Sequence, residues 1–93
     1  MPRQIVAKAS FAHAYAALSD TERHAVDIAL GKFQRYLDTG EAPVGLGIKR
    51  LGGRTHEFRV NLTTRIVCIL TQDEAVLVLL GSHDEIRRFL RRQ

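Results

Sequence analysis

Residues 48–80 decide the fold: Ile48-Lys49-Arg50-Leu51-Gly52-Gly53-Arg54-Thr55-His56-Glu57-Phe58-Arg59-Val60-Asn61-Leu62-Thr63-Thr64-Arg65-Ile66-Val67-Cys68-Ile69-Leu70, followed by Thr71-Gln72-Asp73-Glu74 and the apolar run Ala75 to Leu80. Ile48 to Leu51 is a short strand and Gly52-Gly53 a turn signal. His56 to Leu62 alternates cleanly, with Phe58, Val60 and Leu62 on one face, so Glu57, Arg59 and Asn61 share the other. Arg65 opens a run that is apolar on both faces, as a covered central strand requires. Gln72-Asp73-Glu74 then turns the chain into a further strand over Ala75 to Leu80. Short links between successive strands predict an antiparallel meander of three to four strands.

Upstream of residue 48 the apolar period is near four instead of two. Phe11, Tyr15 and Leu18 recur at helical spacing and stop at Ser19. Ser19 and Glu22 have the spacing of a capping box, in which each side chain satisfies an orphan amide at a helix start. The helix that follows has Val26, Leu30, Phe33 and Leu37 on one face and ends at Thr39-Gly40. These two helices predict a hairpin packed on the meander, and Arg3 to Lys8 predicts a short edge strand before it. Ser82 and Glu85 repeat the capping-box spacing, so a C-terminal helix over 84–92 is expected, packing through Ile86, Phe89 and Leu90. The fold class is α+β.

The chain has 93 residues, of which 45% are hydrophobic and 26% charged. That length suits one domain with one core, and the composition excludes a disordered chain. Absence of a long apolar run predicts a soluble, cytoplasmic protein with no membrane partner. A single cysteine, Cys68, cannot form an internal disulfide, and it shows no zinc-like spacing with the four histidines, so no metal site is expected.

Fourteen Lys and Arg stand against ten Asp and Glu, a net charge of +4. The excess is local. On both sides of residues 47–65 the charges balance, while inside that window Lys49, Arg50, Arg54, Arg59 and Arg65 face Glu57 alone. Such a field suits a polyanion such as RNA, or an acidic protein segment; a solvated basic strand face is the plainer alternative.

The order of elements, together with Lys49-Arg50-Leu51-Gly52-Gly53, Glu57-Phe58-Arg59-Val60-Asn61, Arg65-Ile66-Val67 and Leu79-Leu80-Gly81-Ser82-His83-Asp84-Glu85-Ile86, resembles the RelE/ParE superfamily of toxins from bacterial type II toxin-antitoxin modules. In the RelE-like branch the resemblance implies an mRNA interferase: an endoribonuclease that enters the ribosome and cuts bound mRNA without metal or other cofactor, inhibiting translation. The ParE-like branch instead poisons DNA gyrase, and a non-catalytic RNA-binding module of the same fold is a further alternative. The partners implied are a cognate antitoxin, in a toxin-antitoxin hetero-oligomer, and the ribosome with its mRNA. Residue by residue, Arg59 and Arg65 are similar to the basic strand positions that hold the scissile phosphate, and His83 resembles the proton-transfer residue after the last strand. Lys49, Arg50, Arg54 and His56 are the expected RNA-binding residues. Other members have a Glu or His before the Leu-Gly turn as base; Val44 to Ile48 supplies neither, leaving Lys49, His56 or Glu57.

The chemistry is consistent with those residue types. Cleavage by the 2′-hydroxyl needs a base, an acid for the leaving 5′ oxygen, and cations on the phosphate oxygens. The guanidinium fork matches phosphate geometry and stays charged, and imidazole exchanges protons near neutrality. The duller alternatives are a surface bridge from Arg59 to Glu57 or Asp84, and an ordinary helix-start turn at His83.

Overall fold

A computed structural model describes residues 3–92. Strand β1 is Gln4–Ala7, followed by helices α1 (Ala9–Ala16) and α2 (Asp20–Thr39). The meander is β2 (Lys49–Gly52), β3 (Thr55–Arg59), β4 (Thr64–Leu70) and β5 (Glu74–Ser82), and α3 (His83–Arg91) closes the chain. The sheet order is β1-β5-β4-β3-β2. Strands β2 to β5 are antiparallel neighbours, as the short links demand, and β1 runs parallel to β5 at the edge. A parallel pair needs a long crossover, and α1, α2 and the meander supply it.

Both Ser-x-x-Glu boxes form. Ser19 Oγ accepts from the Glu22 amide at 3.2 Å, while the Ser19 amide donates to the Glu22 carboxylate at 3.0 Å. Gly40, left-handed at φ 77°, closes α2, its amide donating to Tyr36 O. The apolar face of α2 lies on one face of the sheet: Val26, Ala29 and Phe33 are buried with Phe58, Ile66, Cys68, Ala75, Leu77 and Leu80. Phe33 and Phe58 stack with centroids 4.3 Å apart, which ties α2 to β3 one residue before Arg59.

One expected strand end moves. β3 stops at Arg59 rather than Leu62, because the Asn61 side chain captures the amides of Thr63 and Thr64, both at 2.9 Å. A side-chain acceptor offered to nearby amides competes with the strand ladder, so the alternation breaks there and Leu62 is left in solvent.

The second face of the sheet is only partly covered. A Cβ built on Gly81 would meet the Glu85 carboxylate at 3.1 Å, so α3 lies over the face opposite the α2 core. Val67 and Ile86 are buried but stand outside the main core cluster, which marks the contact of α3 with β4 and β5. The β2 and β3 end of this face stays open.

A candidate phosphate-binding face

Register builds the site. Arg59 pairs with Arg65 across β3 and β4, and Arg65 pairs with Gly81 across β4 and β5. Partners in an antiparallel ladder point to the same face. Phe58, Ile66 and Leu80 form the adjacent row and are buried against α2, so both guanidiniums stand on the opposite, open face. Lys49 joins them, since it pairs with Glu57, two residues from Arg59 on β3. Three basic residues on neighbouring strands thus share this face with the Glu57 carboxylate.

That carboxylate is buried. Glu57 is 4% exposed, and its Oε1 lies 3.8 Å from Nη1 of Arg65, whose side chain is 20% exposed. The separation exceeds a hydrogen bond, so the interaction is an attraction between charges rather than a locked fork. The bridge thus runs from Glu57 to Arg65, not to Arg59. Arg59 is exposed and free to take a ligand. Its backbone amide donates to Leu46 O at 2.8 Å, and its side chain runs along Gly47: a Cβ there would meet the Arg59 Cζ at 3.7 Å. Gly47 has φ 58°, a left-handed backbone that favours glycine, while a Cβ there would make ordinary van der Waals contact with the Arg59 side chain.

His83 is the first residue of α3 and is exposed. It follows Ser82, the partner of Thr64, and stands two residues beyond Gly81, the partner of Arg65. With neighbouring strands about 4.8 Å apart, Arg59 and Gly81 are separated by about 10 Å across the sheet. His83 therefore begins its helix at the end of the row that carries the two arginines. The Ser82 cap fixes that start: Ser82 Oγ accepts from the Glu85 amide and the Ser82 amide donates to Glu85 Oε1 at 3.0 Å. The same backbone amide holds the Glu85 carboxyl below its ordinary value, with help from the Ser82 hydroxyl and Arg88.

The other basic residues lie elsewhere. His56 shares the parity of Phe58, pairs with Cys68, and sits half-buried on the α2 side, its Nδ1 against Arg54 O at 3.2 Å. Arg50 pairs with His56 and donates from Nε to Gly53 O, so it braces the β2–β3 turn. Arg54 is in that turn, at the far end of β3 from Arg59. The basic window therefore divides into an open-face cluster of Lys49, Arg59 and Arg65 and a turn cluster of Arg50, Arg54 and His56.

Two contributors escaped the reading of the sequence: the burial of Glu57 beside Arg65, and Gly81, where a Cβ would crowd the Glu85 carboxylate. Parity did signal the first, since Glu57 and Arg59 occupy alternate positions of one strand.

No family model matches this chain, and no curated protein matches it. Solved structures do. A chain of the E. coli DinJ-YafQ toxin-antitoxin complex superposes with TM-score 0.69 at 16% identity, over 92% of this chain and 98% of that one. The RelB-RelE antitoxin-toxin complex from Methanococcus jannaschii gives TM-score 0.67 at 10% identity, covering 90% and 96%. A YoeB/ParE toxin from Agrobacterium tumefaciens gives 0.67 at 16% identity, covering 86% and 98%. The chain thus has the fold of these toxins over nearly its whole length.

Proposed function

We propose that this chain, which shares the fold of the RelE and ParE toxins, is the toxin of a type II toxin-antitoxin module and acts in the cytoplasm as an mRNA interferase on ribosome-bound message, restrained by a cognate antitoxin. The observation that carries the reading is the pairing of Arg59 with Arg65 on the open face, over a buried Glu57, at the end of the sheet where His83 begins α3.

In this reading the 2′-oxygen of one nucleotide attacks the adjacent phosphorus, and the P–O bond to the 5′ oxygen of the next nucleotide breaks. The products are a 2′,3′-cyclic phosphate and a free 5′-hydroxyl. Arg59, exposed and lying along Gly47, and Arg65 hold the non-bridging oxygens, where charge accumulates in the transition state. Lys49 extends the field along the RNA backbone. His83 gives a proton to the departing 5′ oxygen. Glu57 orients Arg65, and its carboxylate, beside Arg65 and opposite Lys49 in the ladder, is the group that accepts the 2′ proton. The α3 N-terminus adds amides that favour an anion.

The test is primer extension on a reporter message in a translating extract. Sharp stops within coding sequence are expected with the wild type. Arg59→Gln and His83→Ala should each lower cleavage by about 100-fold or more, in the range typical for loss of one charge-stabilising or proton-transfer group. Intact message together with growth arrest and induced DNA damage would overturn the reading in favour of a gyrase poison.

A further inference from the structure

Among the described residues the large apolar side chains in solvent are Val6, Ile28, Val44 and Leu62, and the two most exposed, Val44 at 95% and Leu62 at 91%, both stand on turns that adjoin Arg59. Val44 stands on the turn from Pro43 to Leu46, closed by the Leu46 amide donating to Pro43 O at 3.1 Å, with Gly45 at φ 88°. Leu46 is fully buried, and its carbonyl accepts from the Arg59 amide, so this turn is anchored directly beside Arg59. Leu62 stands on the turn that leaves β3 after Arg59 and returns at Thr64, before Arg65. That turn is pinned as well: the amides of Val60 and Asn61 donate to Thr64 O, and Asn61 Oδ1 accepts from the amides of Thr63 and Thr64 and from the Thr63 hydroxyl.

Single exposed apolar residues need no explanation. Two of them, on separate turns held by their own hydrogen bonds and both adjoining the backbone of Arg59, form a pattern. Neither turn needs its apolar tip for folding, because the pinning is done by backbone, Asn61 and buried Leu46. A single-stranded nucleic acid presents a phosphate and an apolar base face at every nucleotide. An exposed arginine whose neighbouring turns on both sides carry apolar tips matches that alternation; an acidic peptide would match the charge alone.

We infer that Val44 and Leu62 form an apolar rim on which the bases flanking the phosphate at Arg59 pack, so that this site selects single-stranded RNA by its bases as well as by its charge. The inference rests on the ribonuclease reading. It makes Val44 and Leu62 specificity residues, and it assigns base preference to the two turns rather than to the cationic cluster.

Fluorescence anisotropy tests it with a 2′-O-methylated RNA dodecamer, which cannot be cut because its 2′ oxygens are blocked, and with an abasic oligomer of the same backbone length and charge. The wild type should bind the base-bearing oligomer more tightly than the abasic one. Leu62→Ser and Val44→Ser should each weaken binding to the first by about three- to tenfold, the scale set by an apolar side chain half covered by a base, and leave the second unchanged. Both positions are more than 90% exposed, so the variants keep the wild-type fold. Ile28→Ser, an exposed apolar position on α2, should change neither. Equal losses on both oligomers, or none, overturn the rim. So does a change in sedimentation of the Leu62→Ser protein without any change in RNA affinity, which would assign the tips to a protein contact. A wild type that binds neither oligomer removes the rim as a base-binding surface; whether the cationic face cuts RNA is decided separately, by stops on ribosome-bound message.

Discussion

Replacing Glu57 by Gln removes one negative charge from beside Arg65, on the face that also carries Lys49 and Arg59, while keeping the shape of the side chain. At 3.8 Å from Arg65 Nη1, and with an effective dielectric of about 20, the gross attraction is about 4 kcal/mol. Most of it offsets the desolvation of a carboxylate that is 4% exposed and a guanidinium side chain that is 20% exposed. The expected net loss is about 1–2 kcal/mol, which in a domain of this size lowers the thermal midpoint by about 5–10 °C. Function should move in two directions at once. With one less negative charge near the phosphate, RNA binding at low salt should tighten by about two- to threefold, a gain that disappears as salt screens it. Cleavage should slow by about 10- to 100-fold, because Arg65 loses the charge that orients it and a small misplacement at the reacting phosphate is costly. Calorimetry, anisotropy and single-turnover cleavage on stalled ribosomes measure the three quantities. Unchanged melting and unchanged cleavage would refute the idea that Glu57 holds the cluster, and weaker RNA binding at low salt would refute the electrostatics.

Ser82→Ala removes the hydroxyl that caps α3 and should cost about 1 kcal/mol, together with part of the activity, since His83 is the next residue. The Glu85 carboxyl is held below its ordinary value of 4.5 chiefly by the Ser82 amide, so its contribution to stability is present above that value and is lost as pH falls through the lower folded value; acid unfolding followed by circular dichroism should show it. For Cys68 the sign reverses: burial pushes the thiol from 9.0 up to about 12, so native protein should resist a thiol reagent at pH 8. Relative to Cys68→Ala, stability should then fall by about 1.4 kcal/mol per pH unit above 9 as the unfolded thiol ionises. Rapid labelling of the native protein would contradict the burial.

The elements that show plainly in the sequence are those whose local chemistry agrees with the final fold. Ser19 with Glu22 and Ser82 with Glu85 mark two helix starts because the capping box is a contact between near neighbours. The meander is visible because the apolar period switches from near four to two at residue 48. The placement of β1 beside β5 is not visible: a four-residue strand that pairs across nearly the whole chain carries no register information of its own. The end of β3 was missed for a different reason, since alternation continues formally to Leu62 while the Asn61 side chain takes the amides the ladder would need. His56 is the instructive case within the site. Nearness to the basic residues along the chain suggested an RNA contact, yet parity with Phe58 already assigned it to the α2 side, where the structure has it.

The alignment of the site depends on something the sequence could not reveal. Ile69 faces Val76 and Cys68 faces Leu77, but Val67 faces Leu79, so Val78 is an extra residue in β5. A bulge of this kind shifts register by one and turns the rest of the strand over. Without it, Arg65 would face Leu80 and a bulky apolar side chain would crowd the open face. With it, Leu80 turns into the core at 5% exposure and Gly81 stands beside the guanidinium, leaving room for the Glu85 carboxylate and the start of α3. Ala75 to Leu80 is apolar at every position, so alternation is silent about where the parity changes. The need for the bulge comes from the two faces together: the core needs Ala75, Leu77 and Leu80 on one side, and the Glu85 carboxylate needs a residue without a side chain beside it on the other. One inserted residue satisfies both, and it brings His83 to the end of the Arg59 and Arg65 row instead of one residue out of step with it.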